Sequence, residues 1–491
     1  MKVMISYPPI ETDKGVPQVA QNRQFQYFNN PLYIYPVIPA QAATMLKHKG
    51  YEIKWNDAVA LEWDYQKFLD NIQNEKPDVV AIESKTPTIK HYWQAVNDIK
   101  KVHPKCKVIL YGDHVTAFPE ESMINSRVDY IITGGDYDFA IVNLCEHLSK
   151  GIKLEPGVWF REQGKIKNNG KYKTDHDLKE VPMIDRELTM WWLYKYNGNY
   201  KYIPGTYTMV GRDCWWRKDG GCTFCSWTAT YPNFRTKTPE ALLEEVGHII
   251  DLGIKEIFDD TGTFPVGPWL KKFCDGMIER GYNKKIKIGC NMRFGALSEE
   301  EYNLMGRAGF RFILYGFESA NQKTLDMLNK GVKVEQQVRD LEIAKKAGLD
   351  PHITIMMGYP WETFEDAQRT IDLGKYLFRK GWVDTLQATI VIPYPGTSLF
   401  KQCEENGWLK TRDWERYDMR EAIMKSPLTE EQTKILTQQL YKLFFEPKYI
   451  MRKFKQIRTL DDLKFIGRGV KAVFGHLMDF SLKQPVNPET A

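Results

Sequence analysis

Three cysteines close together constrain this chain more than any other feature: Cys214, Cys222 and Cys225, in the run Gly211-Arg-Asp-Cys-Trp-Trp-Arg-Lys-Asp-Gly-Gly-Cys-Thr-Phe-Cys-Ser-Trp227. They follow an apolar, β-branched and aromatic stretch, Tyr202 to Val210. They precede Thr238-Pro-Glu-Ala-Leu-Leu-Glu-Glu-Val, where a Thr cap, a Pro just inside and Glu in the first turn announce a helix. The loop that carries them therefore joins a strand to a helix. Three thiolates suit a cubane iron-sulfur cluster with one iron left open, whereas clusters that only carry electrons have every iron held. Zinc is the other reading of Cys-x-x-Cys, but a structural zinc needs a fourth soft or imidazole ligand and usually a second close pair. No such pair lies nearby, and Cys274 and Cys290 are isolated, as core thiols are. An open iron is a place for a substrate or cofactor, so the chain is read as an enzyme.

At 491 residues there is room for several domains, each with its own core. The net charge of +5, from 68 basic and 63 acidic residues, does not point to nucleic acid. Apart from the trio the eight cysteines are scattered and form no disulfide framework. The opening Met-Lys-Val-Met-Ile-Ser-Tyr-Pro-Pro lacks the apolar core and cleavage site of a signal peptide, so a reducing cytoplasm is expected. No apolar run is long enough to span a bilayer.

Strand and helix alternate twice. In residues 1–150 the expected strands are Lys2 to Ser6, Tyr51 to Trp55, Val79 to Glu83, Lys107 to Tyr111 and Tyr130 to Thr133, with helices beginning near Pro39, Trp63, Tyr92 and Glu120. That pattern predicts a doubly wound parallel sheet, with ligands at the carboxyl ends of its strands. Residues 151–200 read as a linker with a small hairpin around Gly157-Val-Trp-Phe and Lys165 to Gly170, whose Asn-Asn-Gly is a turn signal. Residues 201–405 alternate again: after the cysteine strand come Ile254 to Phe258, Lys285 to Asn291, Arg311 to Phe317, Asp350 to Met357 and Thr385 to Ile392. Six strands predict a partial (β/α)6 barrel, with the active site above its strand ends. Residues 406–491 read as a helical carboxyl-terminal domain.

On these residues the chain resembles cobalamin-binding radical S-adenosylmethionine (SAM) enzymes over nearly its whole length. Asp57, the Ser84/Thr86 loop, the Gly112-Asp-His-Val-Thr-Ala-Phe-Pro-Glu-Glu121 run and Gly134-Gly135-Asp136 look like that family's amino-terminal cobalamin domain. The cysteine loop, Asp259-Asp260, Gly316-Phe-Glu-Ser319 and Gly358-Tyr-Pro-Trp-Glu-Thr363 look like its barrel. The resemblance implies that Cys214, Cys222 and Cys225 hold a 4Fe-4S cluster whose open iron takes the amino and carboxylate groups of SAM. It places Phe224 near the adenine, with Asp259, Asp260, Arg293, Glu318 and Gly358 around SAM; for Arg293 a plain salt bridge or strand-end cap fits equally. It assigns Asp57, Ser84, Thr86, Gly112, Asp113, His114, Thr116, Gly134 and Gly135 to cobalamin. Two departures stand out. Seven residues, Trp215 to Gly221, separate the first two cysteines where the family has three, and Lys218-Asp-Gly-Gly221 reads as a flexible bulge that absorbs the excess. Asp113 and His114 are adjacent, unlike the Asp-x-His-x-x-Gly of proteins that bind cobalt through histidine, so His114 is expected as a loop residue near the corrin and not as an axial ligand.

Within the family, Cys-Thr-Phe-Cys-Ser-Trp, Arg235 to Pro239 and the helical tail look most like the subgroup of hopanoid-lipid enzymes, phosphorus methylases and the anaerobic chlorophyll-ring cyclase. This implies methylation of an unactivated carbon or a phosphorus in a small molecule or lipid, or radical-driven cyclisation or rearrangement, with an electron donor such as a flavodoxin or ferredoxin. In the tail, Lys448 to Lys471 is basic and carries Ile450, Phe454, Ile457, Leu460, Leu463 and Ile466. Two arrangements suit it: a helical cap over the barrel with a solvated basic face, which is the ordinary fate of such runs, or a rest on anionic membrane that admits a lipid. A cobalamin sensor without turnover would not need the trio, and an RNA-modifying enzyme would show a basic, aromatic-interleaved stripe that is absent here.

Overall fold

The computed structural model describes residues 1–19, 25–29, 31–196 and 199–479, with side chains as far as residue 471. Strands β1 (Lys2–Tyr7), β2 (Glu52–Asp57), β3 (Val79–Ser84), β4 (Lys107–Gly112) and β5 (Tyr130–Ile132) are parallel, in the order β2-β1-β3-β4-β5. Helices α1 (Val37–His48), α2 (Tyr65–Glu75), α3 (Ile89–Val102), α4 (Asp113–Ala117) and α5 (Tyr137–Lys150) connect and cover them. Every residue of β3 is buried, as expected of a strand covered on both faces. The strand order reverses between β1 and β3, so their carboxyl ends open the crevice where a doubly wound sheet takes its ligand. Tyr7 and Glu83 meet there, the Tyr7 hydroxyl donating to Oε2 at 2.6 Å.

Residues 151–200 do more than link. The expected hairpin is present as β6 (Val158–Glu162) and β7 (Lys165–Asn168), but β6 also pairs antiparallel with β5 and extends the sheet to seven strands. Beyond it Arg186, almost wholly buried, donates to Thr206 Oγ1 at 2.9 Å, to the Tyr207 carbonyl at 3.1 Å and to Glu245 Oε1 at 2.8 Å. Its guanidinium also lies over the Tyr35 ring. The segment thus staples the two sheets together.

The second sheet runs β8 (Gly205–Thr208), β11 (Glu256–Asp259), β12 (Lys287–Met292), β13 (Phe310–Glu318), β14 (Asp350–Met357) and β15 (Thr385–Ile390), all parallel and in chain order. Between β8 and β11 the short strands β9 (Gly211–Arg212) and β10 (Arg235–Thr236) pair antiparallel and close the base of the cysteine loop. Helix α6 (Pro239–Asp251) follows as its caps foretold: Thr238 Oγ1 accepts from the Ala241 amide at 3.2 Å, a contact worth about 1 kcal/mol, with Pro239 in the first turn. Among the described residues no pairing joins β8 to β15, so the barrel is open. Ile5, Ala81 and Ile109 of the first sheet share one apolar core with Tyr207, Phe258 and Phe312 of the second.

Three carboxyl-terminal helices complete the barrel. Helix α7 (Glu430–Tyr441) lies along β15, the Tyr441 hydroxyl accepting from the Ala388 amide at 3.2 Å. Helices α8 (Pro447–Gln456) and α9 (Leu460–Asp479) reach the amino ends of the strands. There Lys453 Nζ meets Asp384 at 2.8 Å, Lys201 Nζ meets Asp462 at 2.5 Å, and Arg468 donates to the Tyr200 carbonyl at 2.8 Å. They form a floor opposite the cysteine loop.

Candidate active site

The cysteine loop leaves β9, turns at Asp213 and returns through β10, with a short helix, Trp227–Thr230, inside it. Asp213 is wholly buried at a positive φ of 79° and pairs with Arg217. Its carbonyl accepts from the Gly262 amide at 2.9 Å, and a Cβ on Gly262 would sit 2.6 Å from that oxygen, so only glycine fits there. Cys214 Sγ lies 3.0 Å from Thr263 Oγ1, and Cys222 Sγ lies 4.0 Å from Arg293 Nη1. The bulge expected at Lys218 to Gly221 is an ordered 3-10 turn, not a loose one. Asn329 Nδ2 donates to the carbonyls of Lys218 at 2.6 Å and Gly221 at 2.9 Å, while Trp216 Nε1 donates to the Asn329 carbonyl at 2.8 Å. The longer spacer is thus held from the far side of the barrel.

All three cysteines line one cavity of about 650 Å³. Among the described residues no three His, Cys, Asp or Glu side chains are grouped to hold a single metal ion. A cubane does not need that convergence, because each thiolate takes a different iron and one iron stays open. Around the thiols several buried donors have no hydrogen-bond partner among the described residues: Trp215 Nε1, Arg217 Nε, Arg293 Nε and the Thr223 hydroxyl. Burial lowers the Arg217 proton affinity, and the charges of Cys225 and Cys222 oppose that effect. Thiols with unsatisfied donors and two guanidinium groups beside them suit a cluster of net negative charge.

Phe224, Asp260, Arg293 and Glu318 also line the cavity, while Asp259 and Gly358 do not. Asp259 is turned into the protein, where its carboxylate accepts from Thr208 Oγ1 and the Val210 amide, both at 2.9 Å, and burial raises its pKa. Strand neighbours point to opposite faces, so Asp260 can face the cavity only because Asp259 does not. Gly358, at φ 92°, serves the turn after β14. Asn291 Nδ2 donates to Asp260 Oδ1 at 3.2 Å. Arg293 stands 4.2 Å from the Trp216 ring centroid and donates to the Lys330 carbonyl. The Lys330 ammonium meets Glu318 Oε1 at 2.7 Å and lies 5.6 Å from the Phe224 centroid. Lys330 carried no signal in the sequence: it follows a short helix, Gln322–Met327, and reaches the site only through the fold. Below this polar end the walls become apolar, with Phe258, Phe312, Leu314 and Leu386. His352 is one of several polar groups among them, its Nδ1 2.8 Å from Thr385 Oγ1, and burial lowers its pKa to about 4.

The residues expected around cobalamin gather at the carboxyl ends of the first sheet, but none lines this cavity. Asp57 accepts from the Tyr194 hydroxyl at 2.7 Å and the Ala60 amide at 2.9 Å, and burial raises its carboxyl to about 6. Ser84 donates to the Tyr111 carbonyl at 2.9 Å, and Asp113 meets Lys85 at 3.3 Å. Thr116 donates to the Gly112 carbonyl at 2.6 Å and accepts from the Gly134 amide at 3.0 Å. His114 is not a loop residue: it lies on α4, wholly buried, because Gly112 at φ 116° starts a helix at once. Its Nδ1 is 3.2 Å from Thr86 Oγ1 and its Nε2 3.3 Å from Glu121, amid the rings of Trp93, Phe118 and Trp414. The crevice does hold buried polar atoms without a partner among the described residues, Ser6 Oγ, Asn56 Oδ1 and the Tyr111 hydroxyl. The rings of Tyr172 and Tyr231, however, occupy the space into which a Cβ on Gly134 or Gly135 would project. The unpartnered polar atoms at these strand ends suit a polar cofactor such as cobalamin.

Comparison with known proteins agrees with the two-sheet architecture. The B12 binding domain family matches residues 32–141 and the Radical SAM superfamily matches residues 209–374. A methyltransferase of Pyrococcus horikoshii, PH0819, is 27% identical over 462 residues, covering 92% of this chain and 94% of that protein. The anaerobic magnesium-protoporphyrin IX monomethyl ester cyclase of Rubrivivax gelatinosus is 24% identical over 402 residues, 79% of this chain and 70% of that one. Among solved structures, the radical SAM methyltransferase TsrM of Kitasatospora setae, with cobalamin and a [4Fe-4S] cluster bound, shares the fold at a TM-score of 0.68 and 12% identity, over 98% of this chain and 99% of that one. The cobalamin-dependent radical SAM enzyme OxsB, with cobalamin and SAM bound, does so at 0.68 and 16%, over 96% and 71%. The cofactors of the two domains are a 4Fe-4S cluster with SAM, and cobalamin. The chain is thus an enzyme with a B12-binding domain ahead of a radical SAM domain.

Proposed function

We propose that this enzyme transfers a methyl group to an unactivated carbon, or to phosphorus, of a largely apolar small molecule or lipid. The observation that carries the reading is the single cavity that joins the three thiols to an apolar barrel interior. When bound, a cluster reduced by one electron from an external donor would split SAM into methionine and a 5'-deoxyadenosyl radical, and cobalamin would supply a methyl group. The chain's own residues bind, orient and exclude water. Cys214, Cys222 and Cys225 would hold the cluster at the carboxyl ends of the strands. Asp260 and the Glu318–Lys330 pair would orient the amino and carboxylate groups of SAM, Arg293 stands beside Cys222, and Phe224 would lie near the adenine. Phe258, Phe312, Leu314 and Leu386 keep water from the substrate, which protects a radical from side reactions. His352, uncharged at neutral pH, offers a hydrogen bond without the desolvation cost of an ion.

The cyclase among the relatives supports a second reading, ring closure or rearrangement without methyl transfer. One anaerobic experiment separates the two: the reconstituted protein, SAM and a strong reductant, with 5'-deoxyadenosine and S-adenosylhomocysteine measured by mass spectrometry. Both products are expected. Deoxyadenosine alone favours ring closure, and neither product from a cluster-loaded protein overturns both readings. A flavodoxin or ferredoxin is the proposed physiological reductant.

A further inference from the structure

The cavity does not end within the barrel. It runs from the thiols past His352 and Thr385, at the amino ends of β14 and β15, to helices α8 and α9. There Ile450, Phe454, Leu463 and Val470 line it, and these residues are 40%, 65%, 54% and 50% solvent-exposed. Met451 and Leu460, at 55% and 75%, extend the apolar surface beside them. Large apolar side chains exposed on a soluble surface need a reason, and a contiguous group at the mouth of a cavity marks an interaction site. Its surroundings are positive. Lys448, Lys455, Arg458, Lys464 and Lys471 are exposed. The nearby acids are largely occupied, Asp462 by Lys201 at 2.5 Å and Glu446 by Arg379 at 2.6 Å.

We propose that the α8–α9 mouth docks on an anionic lipid surface and admits a hydrocarbon chain from it into the barrel, so that substrate enters at the end opposite the cluster. The exposed apolar residues enter the interface while the lysines and Arg458 meet the headgroups. Among the described residues no helix is long and apolar enough to cross a membrane, so the contact is peripheral. The inference rests on the cavity being the substrate site, and the direction of entry goes beyond that reading.

The full-length, cluster-loaded protein is floated with vesicles of phosphatidylcholine alone or mixed with phosphatidylglycerol. Flotation with the anionic vesicles only, reversed by salt, is expected. The double variant Phe454→Glu/Leu463→Glu and the charge reversal Lys455→Glu/Lys464→Glu should each lower partitioning about tenfold or more, with iron content and circular dichroism unchanged. Equal binding to both vesicles, no binding, or binding that the variants leave intact overturns the docking surface, the last two leaving a protein partner as its occupant. For entry, phosphatidylglycerol with a nitroxide near the end of one acyl chain should speed relaxation of the reduced cluster's electron paramagnetic resonance signal, and no change refutes passage into the barrel. Neither readout needs turnover. Both SAM products without vesicle binding would sink the portal and spare the proposed activity, while the reverse result would do the opposite.

Discussion

Gly262 shows how tightly the cysteine loop is held. A methyl group there would press on the Asp213 carbonyl 2.6 Å away, next to Cys214. Gly262→Ala should therefore cost about 1–3 kcal/mol and lower iron loading, read from urea unfolding and iron analysis. Substituting Ala for any one of Cys214, Cys222 or Cys225 should remove most of the iron while leaving far-ultraviolet circular dichroism unchanged. Asp259 and Asp260 make a sharper contrast. Asp259→Asn should destabilise the strand end by about 1–3 kcal/mol with little effect on SAM affinity, whereas Asp260→Asn should weaken SAM binding in calorimetry and spare stability. His352 bears on pH. Its folded pKa, about 4, lies below the ordinary 6.5, so the unfolded chain binds the extra proton between those values. Stability from the neutral ring is complete above 6.5 and falls as pH drops toward 4, by about 3 kcal/mol in all. His352→Gln should flatten that part of the stability curve. The sequence singled out Phe224, Asp260, Arg293 and Glu318, each next to a motif at a strand end. It could not separate Asp259 from Asp260, because which of two adjacent side chains faces inward depends on the register of the sheet.

At the scale of elements, periodicity made nearly every strand of both sheets legible, because alternating βα units bury their strands continuously. Within residues 151–200 the hairpin was legible, but the aromatic-rich irregular stretch after it was not, since it has no period and its partners are distant in sequence. Arg186 sums up its role: buried, it joins the staple to Thr206 on β8 and Glu245 on α6. Arg186→Ala would strand Glu245 in the interior, and the expected loss is about 3–5 kcal/mol, measured as a fall in the urea midpoint. The cysteine spacer is a similar case. Its length was legible, but its order comes from Asn329, which is far away in the chain.

For the whole molecule, the floor built by α8 and α9 narrows the lower end of the barrel cavity. A chain ending at Ile457 should still assemble its cluster, yet bind apolar dyes more strongly and release more 5'-deoxyadenosine per methylated product, as the mouth widens and more water reaches the cavity from below. The sequence by itself determined what local chemistry encodes: the thiol trio, the capped helix after it, the two runs of alternating strand and helix, and through them the two cofactor domains. Only the tertiary structure decided which strand-end side chains share the cavity, that Tyr172 and Tyr231 cover the glycines of the first crevice, that His114 is core, and that the tail builds the barrel's floor. The physical reason is range. Caps, turns and periodicity act over a few residues along the chain, whereas the direction of a side chain and the filling of a cavity are set by neighbours that only packing brings together.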